Sequence, residues 1–139
     1  MTPPIDGIDH VVIMASDIDR SLKFYKDMLG GKPLFEKAFR ARNIPVLPIK
    51  IGKAIVNIQR LESPAYIVAK TLESGTVDLC FRWSQSIEEA MSWLSSKKIP
   101  IIEGPVPRPA ADGTWGKSIY FRDPDGNLLE FLSTLEPSA

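Results

Sequence analysis

An internal repeat constrains the fold more than any other feature of this chain: a strand, a helix and three strands follow one another, and the same order then begins again. Asp78 lies 68 residues after His10. Glu130 lies 71 residues after Gln59, so matching positions keep a nearly constant offset. Self-similarity at a fixed period predicts that one structural unit is used twice. Each unit has one helix for four strands, and one helix covers one sheet face, which leaves the other face to line a cleft.

Short β-branched runs and helix-capping signals define the elements of each repeat. The strands predicted in the first repeat are residues 8–15, 32–39, 46–51 and 54–61. Those predicted in the second repeat are residues 76–83, 99–103, 117–123 and 127–133. A helix follows the first strand of each repeat, with Ser16 and Asp19 as the capping pair of one, and Ser86 and Glu89 as that of the other. The segment 104–116 is rich in proline and glycine and is predicted to be a loop.

These elements predict an α+β fold in which two βαβββ repeats form a half-open, mixed-sheet cleft. Residues 1–139 are expected to form a single domain, with repeat one over about 6–61, a linker over 62–75 and repeat two over about 76–134. The linker contains Pro64 and Gly75 and lacks periodicity, which is typical of a connection.

Composition excludes several classes of protein. Lys+Arg and Asp+Glu both number 17, so there is no basic field to attract nucleic acid. The single Cys80 excludes an internal disulfide and fits a reducing cytoplasm. No signal peptide is recognised, and no apolar run approaches the ~20 residues that span a bilayer. We therefore expect a cytoplasmic protein that binds a small molecule and neither nucleic acid nor membrane, with exposed sheet edges that favour a homodimer.

Two carboxylates, Asp78 and Glu130, lie inside strands that are otherwise largely apolar. Burial of a charge is costly unless the charge is paired or bound to a metal. Period-two alternation places Asp78 on one sheet face with Cys80 and Arg82. A face that mixes charged and apolar side chains in this way is unusual for a surface in water and suits the wall of a cleft.

Two stretches carry a resemblance to a known family: DHVVIMASDIDRSLKFYKDMLG near the start and SIYFRDPDGNLLEF near the end. They resemble the vicinal-oxygen-chelate superfamily, which contains glyoxalase I, extradiol dioxygenases and the fosfomycin- and bleomycin-resistance proteins. The chain looks closest to the small bacterial glyoxalase/dioxygenase-like members. The resemblance implies that side chains on the first and last strands of each unit hold a divalent metal. It assigns this role to four residues: His10, Gln59, Asp78 and Glu130.

This ligand set departs from the commonest form, because Asp78 stands where many relatives have histidine. One imidazole, two carboxylates and one amide oxygen are hard ligands that favour Mn²⁺, Fe²⁺, Ni²⁺ or Mg²⁺, and Zn²⁺ is a further candidate. Such an ion would bind two neighbouring substrate oxygens as a Lewis acid. Glu130 or Asp78 would then serve as the base that transfers a proton.

Further residues are candidates for contact with a substrate. Tyr120 lies ten residues before Glu130, as a substrate-contacting tyrosine does in fosfomycin-resistance relatives, although packing in a β-core explains it equally well. Ser118 shares its predicted face. Arg82 could bind an anionic substrate or pair with a carboxylate. Trp115 could cover a ligand or contact another subunit. Glu130 and Tyr120 are thus the predicted catalytic residues.

The leading hypothesis is a metal-dependent glyoxalase-like enzyme, a lyase, isomerase or related catalyst, that acts on a small oxygenated or electrophilic metabolite. The main alternative is a metal-free small-molecule-binding protein of the bleomycin-resistance type, because the chain has a single histidine. An extradiol-type dioxygenase is a second alternative. It fits less well, because non-haem iron oxygenases use two histidines and one carboxylate.

Overall fold

A computed structural model describes residues 2–135 and divides the chain into two compact units between Ser74 and Gly75. Each unit contains a four-stranded mixed sheet, and neither sheet closes on itself. The element order confirms the predicted α+β class and the two βαβββ modules. Within this part of the chain, no helix is both long enough and apolar enough to cross a membrane. The single-domain organisation stays a prediction.

The first unit has four strands and two helices. They are β1 (Val11–Ala15), α1 (Ile18–Asp27), β2 (Lys32–Pro33), α2 (Glu36–Arg40), β3 (Leu47–Ile51) and β4 (Ala54–Arg60). The sheet order is β1-β4-β3-β2. β1 runs parallel to β4, and the other pairs are antiparallel.

Helix α1 begins after Asp17, whose carboxylate accepts a hydrogen bond from the backbone N–H of Arg20 at 3.1 Å. The prediction that Ser16 caps this helix is therefore wrong, because the extended backbone of Asp17 brings the carboxylate to the helix terminus. Leu22 and Tyr25 are buried and form the predicted apolar stripe.

The sheet of the first unit buries one face against its helix. Ile49 lies so close to the backbone of Gly31 that a β-carbon there would collide with it and with Tyr25. Ile13 and Ile58 share the face of Ile49 and are at most 2% exposed. This alternation fixes which strand residues remain for the opposite face.

The strand predicted over 32–39 is wrong beyond Pro33. Phe35 has a left-handed backbone, with φ of 58°, which ends the extended segment and starts helix α2. Phe39 of this helix is fully buried, and the guanidinium of Arg60 lies 3.8 Å from the centre of its ring. The long-range contact with Arg60 stabilises a short helix that local sequence does not reveal.

The second unit has four strands and one helix. They are β5 (Asp78–Arg82), α3 (Ile87–Ser96), β6 (Glu103–Pro109), β7 (Trp115–Arg122) and β8 (Leu128–Ser133). The sheet order is β5-β8-β7-β6, with β5 parallel to β8. The predicted cap of α3 is confirmed, because Ser86 Oγ accepts a hydrogen bond from the N–H of Glu89 at 3.3 Å.

Strand β6 occupies the segment predicted to be a loop, and the strand predicted over 99–103 is wrong except for its last residue. β6 is an edge strand. Ile102, just before β6, donates a backbone hydrogen bond to Tyr120 of β7, and Ala110, just after β6, donates one to Thr114, just before β7. From Val106 onward, the register directs the backbone of even-numbered residues toward β7 and leaves Pro107 and Pro109 at outward positions. Proline lacks an N–H and is tolerated at such outward positions of an edge strand.

The predicted turn between β7 and β8 is confirmed. Asp123 Oδ1 accepts hydrogen bonds from the backbone N–H groups of Asp125 and Asn127 at 3.0 and 2.9 Å. Asn127 is fully buried, and its Oδ1 accepts a hydrogen bond from the N–H of Val77 at 2.9 Å. The turn therefore also holds the start of β5 beside β8.

Candidate metal and substrate site

Polar side chains form a row across all four strands of the second sheet. Cys80 of β5 pairs with Glu130 of β8, and Glu130 also pairs with Tyr120 of β7. Tyr120 in turn pairs with Glu103 of β6. Paired residues of neighbouring strands project from the same side of a sheet. We name this side the Glu130 face; besides the row, it carries Asp78, Arg82, Val106, Arg108, Ser118, Arg122, Leu128 and Leu132.

The opposite side of the second sheet belongs to the core. Ile119, Phe121 and Leu129 have no exposed surface. On the Glu130 face, by contrast, Glu130 and Tyr120 are half-buried. The register confirms the prediction that Asp78, Cys80 and Arg82 share one face of the sheet.

Glu130 has no Lys, Arg or His ion-pair partner among residues 2–135. Its neighbour Cys80 lies on an exposed edge strand, but the adjoining strand partly desolvates the thiol. This burial, together with the negative charge of Glu130, raises the pKa of Cys80 to about 12. The thiol therefore stays protonated at neutral pH, and its Sγ lies 4.0 Å from the carbonyl oxygen of Phe81, so Cys80 is poorly suited to act as a thiolate nucleophile.

Tyr120 is in contact with an arginine that the sequence analysis did not select. Arg108 Nε donates a hydrogen bond to the Tyr120 hydroxyl at 3.0 Å. The centre of its guanidinium lies 5.7 Å from the ring centre of Tyr120, within the range of a cation–π contact. Arg108 lies in the proline-rich segment predicted to be a loop, so no periodicity signal could have placed it on this face.

The remaining predicted substrate residues are spread over the same unit. Ser118 is fully buried, and its Oγ has no hydrogen-bond partner in the described part of the chain. Arg82 Nη2 donates a hydrogen bond to Thr134 Oγ1 at 2.9 Å. Trp115 begins β7 and is 68% exposed. The structure thus brings Ser118 and Arg82 onto the Glu130 face and leaves Trp115 at the start of a strand.

In the first unit, His10 immediately precedes β1 and is exposed. Its Nδ1 lies 2.7 Å from Asp9 Oδ1. In a neutral imidazole, a hydrogen bond from Nδ1 to this carboxylate selects the tautomer whose Nε2 keeps a lone pair. A carboxylate that orients an imidazole in this way is a common companion of metal-binding histidines.

The register of the first sheet identifies Asn57, a residue that the sequence analysis missed. Val12 is the repeat counterpart of Cys80, and β1 pairs Val12 with Asn57 where β5 pairs Cys80 with Glu130. Asn57, rather than Gln59, therefore occupies the position equivalent to Glu130. It is 8% exposed, and its Oδ1 has no hydrogen-bond partner among the described residues.

Gln59 is also buried, but its carbonyl oxygen already has a partner. Oε1 accepts a hydrogen bond from the backbone N–H of Ala65 at 3.1 Å, which holds the segment after β4. We name this side of the first sheet the Asn57 face; within its strands it carries Val12, Met14, Pro48, Lys50, Ile55, Asn57 and Gln59. The assignment of Gln59 as a ligand stays a prediction, and Asn57 offers the buried oxygen that lacks a partner.

Each predicted ligand carries a donor atom of a type that hard divalent ions accept. His10 offers an imidazole nitrogen, Asp78 and Glu130 offer carboxylate oxygens, and Asn57 offers an amide oxygen. Among residues 2–135, no group of three or more His, Cys, Asp or Glu side chains is placed to hold a metal. The metal-ligand set therefore stays a prediction.

Comparison with known proteins supports one family. The model of the Glyoxalase/Bleomycin resistance protein/Dioxygenase superfamily matches residues 7–131. The virulence protein STM3117 of Salmonella typhimurium is 38% identical over 126 residues, which cover 91% of this chain and 83% of that protein. The metallothiol transferase FosB of Staphylococcus saprophyticus is 32% identical over 127 residues, which cover 91% of this chain and 76% of FosB.

Among solved structures, the integron cassette protein VCH_CASS1 of V. cholerae superposes with a TM-score of 0.84 and 31% identity, covering 96% of this chain and 98% of that one. The match extends over both units, as does the match of the family model. The resemblance of the two end motifs is thereby confirmed, and the chain belongs to the glyoxalase/bleomycin resistance protein/dioxygenase superfamily.

Proposed function

We propose that this chain is a metal-dependent glyoxalase-like enzyme that acts on a small oxygenated or electrophilic metabolite. The observation that carries the proposal is the setting of Glu130, a half-buried carboxylate beside Tyr120 with no cationic partner among residues 2–135. A half-buried carboxylate without a cationic partner is available to bind a metal ion. The name of the relative FosB, a metallothiol transferase, supports a metal as that cation.

The proposed ligands of the second unit are Asp78 and Glu130; those of the first unit are His10 and an amide oxygen of Asn57 or Gln59. None of these is a thiolate, so Mn²⁺, Fe²⁺, Ni²⁺, Mg²⁺ and Zn²⁺ are the candidate ions. A divalent ion held by these groups supplies a Lewis acid that polarises oxygen atoms of the substrate.

The side chains of the Glu130 face suit proton transfer. Tyr120 accepts a hydrogen bond from Arg108 through its oxygen, so its own proton is free to be donated to a substrate oxygen. Glu130 has two carboxylate oxygens, and one of them can take a proton from the substrate carbon or oxygen. Cys80 stays protonated and takes no part as a nucleophile.

A second candidate function is metal-free binding of a small molecule, as in the bleomycin-resistance members of the superfamily. The single histidine and the exposed indole of Trp115 favour this alternative, because an aromatic ring at a strand end can cover an apolar ligand. Such a protein would bind its ligand without turnover, and His10→Ala would leave that binding intact.

Titration of the metal-free chain with Mn²⁺, followed by electron paramagnetic resonance and by thermal unfolding, tests the proposal. We expect one ion per chain and a raised Tm. His10→Ala and Glu130→Gln should each weaken the affinity by about a hundredfold, since loss of a group that merely supports a ligand already costs tenfold or more. Glu103→Gln, in the same row but on the edge strand β6, is the matched control and should change neither quantity. If the chain binds no stoichiometric Mn²⁺, Ni²⁺ or Fe²⁺ and its Tm is unchanged, the proposal of a metal-dependent enzyme is refuted.

The homodimer and the cytoplasmic location stay predictions. β1 and β5 each lie at the edge of their sheets, and an edge strand exposes unpaired backbone groups that a second chain can cover. Light scattering of the purified chain measures the assembly, with a mass of twice 15.4 kDa as the expected result.

A further inference from the structure

We propose that the first unit contains a second ligand site, a cavity lined by Arg60 and Asp17 that binds a small zwitterion, a molecule such as an α-amino acid with a carboxylate and an ammonium group. The cavity has a volume of about 320 Å³, at the lower end of the range of pockets that bind small molecules. Arg60 projects from the side of the sheet opposite to the Asn57 face, so this site is separate from the proposed metal ligands.

The cavity lies where two parallel strands end and a helix begins. Ala15 and Arg60 are the last residues of β1 and β4, and they pair in the register of the first sheet. Helix α1 starts after Asp17, in the chain that leaves β1. Because parallel strands have their carboxyl ends at the same edge, this corner resembles the crevices in which α/β proteins bind small ligands.

Arg60 is oriented by the protein, but its charge is not compensated. Its guanidinium centre lies 3.8 Å from the ring centre of Phe39, and Nη2 donates a hydrogen bond to the Phe39 carbonyl at 3.1 Å. Among residues 2–135, Nε and Nη1 have no acceptor, and no carboxylate forms an ion pair with this arginine. Burial, followed by the positive charge of Arg42, lowers the pKa of Arg60. An arginine held in this way, with donors open, is suited to a ligand carboxylate.

Asp17 supplies the opposite charge. Its Oδ1 accepts the capping hydrogen bond from the N–H of Arg20, whereas Oδ2 has no partner in the part of the chain that the structure describes. The side chain is exposed, so small ligands reach it. A carboxylate oxygen only accepts hydrogen bonds, and the open oxygen of Asp17 is therefore suited to an ammonium group.

The other charged side chains that line the cavity already have ion-pair partners. Arg40 Nη2 lies 2.8 Å from Asp19 Oδ1. Glu62 Oε1 lies 3.8 Å from Arg42 Nη2. One guanidinium and one carboxylate thus remain open, and this combination complements a zwitterion better than a simple anion or a simple cation.

The corresponding corner of the second unit lacks this combination. When the registers of the two sheets are matched, Ser133 occupies the position of Arg60. Ser133 Oγ donates a hydrogen bond to the carbonyl of Gln85, so it holds the chain that leads into α3. Arg60 makes no such hydrogen bond to the chain that leads into α1. The open guanidinium is therefore a feature of the first unit and not of the repeat.

Titration of the metal-free full chain with glycine, with acetate and with methylammonium, followed by the backbone amide NMR signals, tests the inference. The three probes are similar in size and carry both charges, the negative charge alone and the positive charge alone. We expect glycine to bind saturably and to shift the signals of Ile18 and Asp19, which line the cavity. Acetate and methylammonium should each bind about tenfold more weakly, because each lacks one charged hydrogen-bonding group.

Two variants and a control assign the charges. Arg60→Gln should weaken glycine binding about tenfold, because it removes the partner of the ligand carboxylate. Asp17→Asn keeps an oxygen that caps α1 but removes the charge, so it should weaken glycine binding and not acetate binding. Lys53→Gln removes one positive charge from the exposed turn between β3 and β4 of the same unit and should change neither affinity.

The inference is overturned if glycine causes no saturable shift at Ile18 and Asp19, or if acetate binds as tightly as glycine. Equal effects of Arg60→Gln and Lys53→Gln would also overturn it. If Arg60→Gln does not fold, Asp17→Asn decides the question, since equal losses of glycine and acetate binding in that variant contradict a zwitterion site.

Discussion

The two units repeat one architecture, but their corresponding faces have different chemistry. On the Asn57 face, Met14, Asn57 and Gln59 are all less than 9% exposed, and none of the three carries a charge. On the Glu130 face, Glu130 and Tyr120 are half-buried and lie among charged residues.

The segment that follows β4 explains part of this difference between the Asn57 face and the Glu130 face. Gln59 binds the backbone of Ala65, so the first unit uses an amide to hold its own loop. The equivalent position in the second unit is Leu132, which has no such group. The second unit instead presents a carboxylate, a phenol and guanidinium groups on this face. Of the two matching positions, Asn57 and Glu130, only Glu130 carries a titratable side chain.

The largest expected effect concerns Cys80, whose raised pKa reports the desolvation and negative charge of the Glu130 face. In the metal-free folded chain, alkylation by iodoacetamide at pH 8 should be about a thousandfold slower than in the chain unfolded in urea, because a pKa of about 12 instead of 9.0 lowers the thiolate fraction by that factor. The rate should keep rising with pH beyond 9, since the thiolate increases up to the folded-state pKa.

Substitution of Glu130 sharpens this test. Glu130→Gln removes the negative charge, which lowers the pKa of Cys80 and should speed labelling about tenfold; burial, the larger cause, remains. Glu103→Gln is the control, because Glu103 lies in the same row but two strands from Glu130. Equal labelling rates in the folded and unfolded wild-type chain would contradict the claim that the Cys80 thiol is desolvated in the folded chain.

Local sequence signals predicted the parts of the fold that depend on neighbours along the chain. Ser86 and Glu89 cap a helix through adjacent residues, and Asp123 forms its turn with residues that follow it directly. Alternation in β5 correctly placed Asp78, Cys80 and Arg82 on one face, because a strand has a fixed period of two.

The errors concern features that depend on distant partners. The prolines of β6 are acceptable only because their outward side faces no strand, which is a property of the sheet order. Arg108 was overlooked with that strand. Asn57 was overlooked because the resemblance assigned the ligand position to Gln59, whereas the register of β1 with β4 places Asn57 opposite Val12. A single sequence does not encode such a register in any local pattern.

The next prediction tests whether the imidazole of His10, in the first unit, contributes to Mn²⁺ binding. Asp9→Asn should weaken Mn²⁺ binding about tenfold, because the carboxylate at 2.7 Å from Nδ1 orients His10 and favours the tautomer with a free Nε2. Asp6→Asn removes the same charge from the same exposed segment and should have no such effect. In a His10→Ala background, Asp9→Asn should cause no additional loss; an equal loss there would show that Asp9 acts only through its charge.

The smallest expected effect distinguishes Asn57 from Gln59. Replacing each by leucine should change the free energy of unfolding in opposite directions. Asn57→Leu removes a buried oxygen that has no partner, so the free energy of unfolding should rise by about 1 kcal/mol, while Mn²⁺ affinity falls. Gln59→Leu deprives the N–H of Ala65 of its acceptor, so the free energy of unfolding should fall by about 1 kcal/mol, while Mn²⁺ affinity stays the same. Urea unfolding measures both variants. A loss of stability in both, with Mn²⁺ binding weakened only by Gln59→Leu, would return the ligand role to Gln59 and make Asn57 a residue of the core.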